Sequence, residues 1–94
     1  MSTLHIISCA PSDKATLDSL IRSCQPEDGA LLTGNGVYLG LPSPTLPGLP
    51  GLHALRHDVE ARGLLSQWPT SIPLVDHAGY VDLCIRFTKS LNWS

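Results

Sequence analysis

The segment Leu41–Leu52, LPSPTLPGLPGL, carries four prolines in twelve residues. Proline has no backbone N–H and a fixed φ, so neither a helix nor a central strand can run through it. Pro44, Pro47 and Pro50 recur every third residue, and so do Leu46, Leu49 and Leu52. That is the period of a polyproline II ribbon, which would set the leucines along one edge. Such an edge must lie against the chain's own core or against a neighbour. The regular elements must come from the two flanks.

In the first flank, Thr3–Ser8 is short and β-branched and reads as a buried strand. Ser12 is then expected to cap a helix, with Asp13 in its first turn. Leu17, Leu20, Ile21 and Cys24 fall on one helical stripe, and Pro26 stops it. Gly29–Thr33 is a second strand, and Gly34–Gly36 a turn. In the second flank, Leu52–Leu55 begins a third strand. His57–Gly63 is a short helical turn that Gly63 ends. Ser71–Val75 is a fourth strand, and its Pro73 points to a sheet edge. Gly79–Leu91 reads as the last helix. Strands alternating with helical stretches predict an α/β fold. The expectation is one small domain over residues 1–94, with a mostly parallel sheet of about four strands and helices on both faces.

Charged residues make up only 15% of the chain and the net charge is −2, with no basic run. Phosphate backbones therefore find little to bind, and no direct nucleic-acid partner is expected. No apolar run approaches the roughly 20 residues of a membrane span, so no membrane partner is expected either. Ile6–Cys9 resembles the end of a lipoprotein signal. No Lys or Arg precedes it and its apolar run is short, so it reads as strand and the protein as cytoplasmic. Three widely spaced cysteines form neither a disulfide framework nor a C-x-x-C pair.

Cys9 is the best-placed thiol, because it follows a strand and precedes a helix. Ligands in open α/β sheets bind beyond such strand ends, and a helix start can lower a thiol pKa. The alternative is a buried turn cysteine. Cys24, on the apolar stripe, is a candidate sulfur carrier or a core residue. Cys84 reads as packing. His5 reads as a satisfied, partly buried histidine within its strand. His53 and His57 have the spacing of a two-histidine zinc site, but a strand at Leu52–Leu55 breaks that geometry and no third ligand is near. No metal or cofactor is expected. Asp76 reads as a helix cap rather than the partner of His77 in acid–base work. Asp58, Glu60 and Arg62 fit either a docking cluster or a solvated turn. Gly34–Tyr38, GNGVY, lacks the lysine and the spaced glycines of a phosphate cradle.

VDHAGYVDLCIRF, Val75–Phe87, therefore offers reactive residue types without a catalytic arrangement. Its apolar residues occupy more of a helix than one core stripe needs, and a second burial surface is most simply a partner subunit. The expected interface is Tyr80, Phe87, Leu91 and Trp93.

LHIIS, GNGVY, HDVEARGLL, IPLVDHAGYVDL and the late Trp93 together resemble the TusB or DsrH-like family in order and spacing over nearly all the chain. The resemblance implies a small α/β subunit of a sulfur relay. It would assemble with TusC-like and TusD-like subunits as a dimer of heterotrimers. That complex passes persulfide sulfur from a TusA-like carrier to a TusE-like one, for 2-thiolation of the tRNA wobble uridine. DsrH-type relatives serve sulfur oxidation instead. The working thiol of the tRNA pathway belongs to the TusD-like partner. Some DsrH-type chains carry a cysteine where Leu20 stands here, with Cys24 one turn further on. The resemblance thus implies a non-catalytic subunit, with a thiol carrier using Cys9 or Cys24 as the alternative.

Overall fold

The computed structural model describes residues 2–41 and 51–94. The prolines expected to form a ribbon, at positions 42–50, lie outside the described residues. Five strands, β1 (Thr3–Ile7), β2 (Gly29–Leu32), β3 (Leu52–Leu55), β4 (Leu74–Val75) and β5 (Lys89–Trp93), form one sheet. Their order is β4-β3-β2-β1-β5, and every pair is parallel. Three helices, α1 (Lys14–Ser23), α2 (Arg56–Ala61) and α3 (His77–Arg86), join them, together with a 3-10 helix over Gly34–Gly40.

The strand order dictates where the helices go. From β1 to β4 the chain steps steadily in one direction, so right-handed crossovers put α1, the 3-10 helix and α2 on one face. The step from β4 back across the sheet to β5 reverses direction, which puts α3 on the other face. The core divides accordingly. Ile7, Ala30, Leu32 and Ala54 bury against Leu20, Val37 and Val59 on the first face. Leu4 and Leu31 bury against Leu83 on the second, with Ile6, Val75, Tyr80 and Phe87 packed around them.

Local chemistry explains the boundaries. The cap of α1 is Asp13, one residue beyond the expected Ser12. Its carboxylate accepts from the Thr16 backbone N–H at 3.3 Å and from the Thr16 hydroxyl at 2.8 Å, two bonds a serine at position 12 has no reach to make. Asp76 caps α3 as expected, accepting from Gly79 N–H at 2.8 Å. Gly63 ends α2 at φ +67°, with Gly63 N–H bonded to Glu60 and Leu64 N–H to Val59 in the paired pattern of a left-handed cap. GNGVYLG is a buried 3-10 helix rather than an open turn. Gly36 there lies against the carbonyl of Ile7, where any Cβ would collide.

The largest difference from expectation is at the end of the chain. The last helix stops at Arg86, and Lys89–Trp93 is a fifth strand beside β1. Phe87 ends the helix in an extended conformation, and Thr88 N–H bonds to Ser2 O at 3.1 Å, which starts the pairing with β1. Apolar spacing alone extended the helix too far, because Phe87 and Leu91 continue the helical period by coincidence. Among the described residues no helix is long and apolar enough to cross a membrane.

Candidate functional site

The thiols do not share a site. Cys9 follows β1 at the carboxyl end of the sheet, where its backbone N–H donates to Trp93 O at 3.2 Å. It is buried, and burial first, then the nearby Asp13 charge, pushes its thiol pKa up despite a backbone hydrogen bond that opposes the shift. Cys24 caps the end of α1, half-buried against the first core. Burial and then Asp28 push its pKa up too. A raised pKa leaves less thiolate, the form that attacks sulfur. Cys84, expected in the packing, is exposed on the outer side of α3. The helix presents Tyr80, Leu83 and Phe87 to the sheet, and Cys84 lies about 100° round the axis from Leu83.

The most developed polar arrangement is one that sequence reading left unassembled. His5 lies in β1 and is 1% exposed. The Trp93 indole N–H donates to His5 Nδ1 at 3.0 Å, and His5 Nε2 lies 2.9 Å from Asp28 Oδ2. An indole nitrogen only donates, so Nδ1 is the acceptor and the ring hydrogen sits on Nε2, facing the carboxylate. Asp28 also accepts from Thr3 N–H at 2.9 Å and Gln25 N–H at 3.0 Å. Burial alone raises the Asp28 carboxyl, but the His5 bond and the two backbone donors outweigh it and hold the carboxyl below its ordinary value. Every member is bonded. The network ties β1, β2 and β5 together. The only sequence signal for it was a histidine inside an apolar strand.

The HDVEARG segment, Asp58 included, has a structural task. Asp58 accepts from Gly34 N–H at 2.8 Å, and Arg62 donates to Asn35 Oδ1 at 3.2 Å, so α2 anchors the start of the 3-10 helix. Glu60 pairs with Arg56 at 2.7 Å on the surface. His53 bonds to Gly51 O and sits on β3, off the helix that bears His57. A cleft of about 380 Å³ between the first turns of α2 and α3 holds His57 and His77. Among the described residues, no three His, Cys, Asp or Glu side chains are placed to hold a metal.

The remaining feature is a surface. Val81 is 56% exposed and Ile85 75%, one turn apart on the outer side of α3 with Cys84 beside them. Of the four expected interface residues, Tyr80 and Phe87 are half-buried beneath this stripe, between helix and sheet. Phe87 lies directly on Gly29, whose missing side chain makes room for the ring. Leu91 and Trp93 are on β5, paired with His5 and Ile7, and so face the other side of the sheet. The structure therefore separates the expected group into two pairs.

Comparison with known proteins agrees with this architecture. Protein Tm0979 from Thermotoga maritima, determined by solution NMR, superposes with a TM-score of 0.68 at 25% identity, covering 89% of this chain and 92% of that one. Protein TusB of Pectobacterium atrosepticum is 35% identical over 95 residues, covering 96% of this chain and 99% of the relative. Protein TusB of Yersinia pestis matches at 35% with the same coverage. The profile of the family described as DsrH like protein matches residues 10–90. The chain belongs to the DsrH-like family and is similar throughout to TusB proteins.

Proposed function

We propose that this chain is a non-catalytic subunit of a TusBCD-type sulfur relay complex, supporting persulfide transfer for 2-thiolation of the tRNA wobble uridine. The observation that carries the reading is the contrast between two thiols, Cys9 and Cys24, with little thiolate and a prominent apolar surface. Cys9 and Cys24 both have raised pKa values, while α3 turns Val81 and Ile85 to the outside. Two large aliphatic side chains in register on a ten-residue helix suit burial by another subunit. Similarity to TusB proteins makes TusC-like and TusD-like subunits the natural occupants, with sulfur received from a TusA-like carrier and delivered to a TusE-like one. Tyr80 and Phe87 support the docking face from beneath. The complex would work in the cytoplasm, where the free thiols of this chain stay reduced.

The test is co-purification of the chain with TusC-like and TusD-like subunits. Ile85→Asp should lower recovery of the complex at least tenfold, with an unchanged melt of the isolated chain. Recovery at the wild-type level removes α3 as the docking face. The match to the DsrH-like family supports a second reading, a DsrH-type subunit of a sulfur-oxidation complex, which would use the same surface. Restoration of 2-thiouridine in a strain lacking its own TusB-type subunit selects the tRNA role.

A further inference from the structure

The two edges of the sheet differ. One edge, β4, is two residues long and preceded by Pro73, a blunted edge that offers little to pair with. The other, β5, is five residues long, and Lys89 to Asn92 are all exposed. Trp93 O accepts from Ser8 N–H at 2.9 Å, so Trp93 turns its backbone groups toward β1. Strand alternation gives Lys89 and Leu91 the same orientation. The backbone N–H and C=O groups of Ser90 and Asn92 therefore point away from the sheet.

These groups are complementary to themselves. An antiparallel pair of β5 strands centred on Leu91 sets Ser90 opposite Asn92 of the other copy, and Asn92 opposite Ser90. Both are hydrogen-bonded pairs, so all four outward-pointing residues exchange N–H···O bonds. Leu91, 42% exposed, meets its own counterpart in the closely spaced type of pair. Lys89 falls opposite Trp93 of the second copy on the same face, which brings a cation to an indole rather than to another lysine.

We propose that β5 is the contact strand of a symmetric homodimer, in which a second copy of this chain pairs antiparallel about an axis through Leu91 and joins the two sheets into one. This contact is separate from the α3 surface and does not depend on the sulfur-relay reading. An isologous two-fold contact needs one self-complementary patch, and β5 supplies it.

Sedimentation of the isolated chain with Cys84→Ser, which removes the exposed thiol, should give twice the chain mass at micromolar concentration. Adding Leu91→Cys places two thiols on the axis at the close spacing of a non-hydrogen-bonded pair, within disulfide reach. Mild oxidation should then give a covalent dimer, while Ser90→Cys, off the axis, should cross-link at least tenfold less. Ser90→Pro removes an N–H that points away from β1 and is unused among the described residues, and should halve the mass without changing the circular-dichroism spectrum. Should that variant fail to fold, Leu91→Arg, at an exposed site, must halve the mass instead. A chain that stays monomeric, or a dimer that ignores Leu91→Arg or does not cross-link through Leu91→Cys, overturns the proposal.

Discussion

Asp28 ties the start of β1 to the turn before β2. Its Oδ1 accepts from Thr3, and its Oδ2 from Gln25 and His5. Asp28→Asn replaces one oxygen with an NH2 group, so at least one donor must face another donor. Leaving a buried donor unpaired costs about 1–3 kcal/mol, and chemical denaturation of the variant should show a loss in that range. The pH dependence has a definite sign. The carboxyl is held below its ordinary value in the fold, whereas in the unfolded chain it titrates near about 3.9. Its stabilisation is thus complete above that pH and is lost as pH falls through the lower folded value. The stability gap between wild type and Asp28→Asn should be constant near neutrality and shrink below about pH 4. A gap that widens on acidification would refute the assignment. Trp93→Phe removes the indole donor to His5 Nδ1 and should cost about 1 kcal/mol or more. None of this was legible in the sequence beyond the oddness of His5. Asp28 sits in a polar turn and Trp93 near the last residue, and only the parallel register of β1 with its two neighbours brings them together.

At the scale of elements, the strands were legible where β-branched and apolar runs were bounded by turn residues. Leu52–Leu55 was placed to the residue, and Pro73 rightly marked an edge. The fifth strand was hidden because KSLNW is short and lacks β-branched residues, while Phe87 and Leu91 mimic a helical period. Its stability comes from its neighbour, not from its own propensity. That misassignment moved Leu91 onto the wrong element, and the exposed pair Val81 and Ile85 stood outside the expected interface. The division has a measurable consequence. Phe87→Ala withdraws a ring from the second core and uncovers Gly29, and should destabilise the isolated chain by about 2 kcal/mol, less than a fully buried phenylalanine. Ile85→Ala, on the outside of the same helix, should leave the melt within about 0.5 kcal/mol of wild type. Comparable losses for both would mean that α3 buries its outer face in the isolated chain. Gly63→Ala, at φ +67°, should cost about 1 kcal/mol through the cap of α2.

For the molecule as a whole, the apolar excess between Val75 and Phe87 already pointed to a chain that hides apolar surface against others. The fold class followed from the alternation of strands and helices, and the family from the motifs those elements carry. What the sequence could not show was which side of α3 is free, because that depends on the reversal of direction between β4 and β5. Under the proposed function this chain would act as a scaffold, its network and caps holding a surface in place while its thiols take no part in the chemistry. The most direct test is sulfur transfer by the complex reassembled with a chain carrying Cys9→Ala, Cys24→Ala and Cys84→Ala together. The scaffold account predicts a complex of normal composition that transfers sulfur to the TusE-like acceptor at the wild-type rate. A complex that assembles normally but no longer transfers would contradict it, and would make one of these three cysteines a carrier.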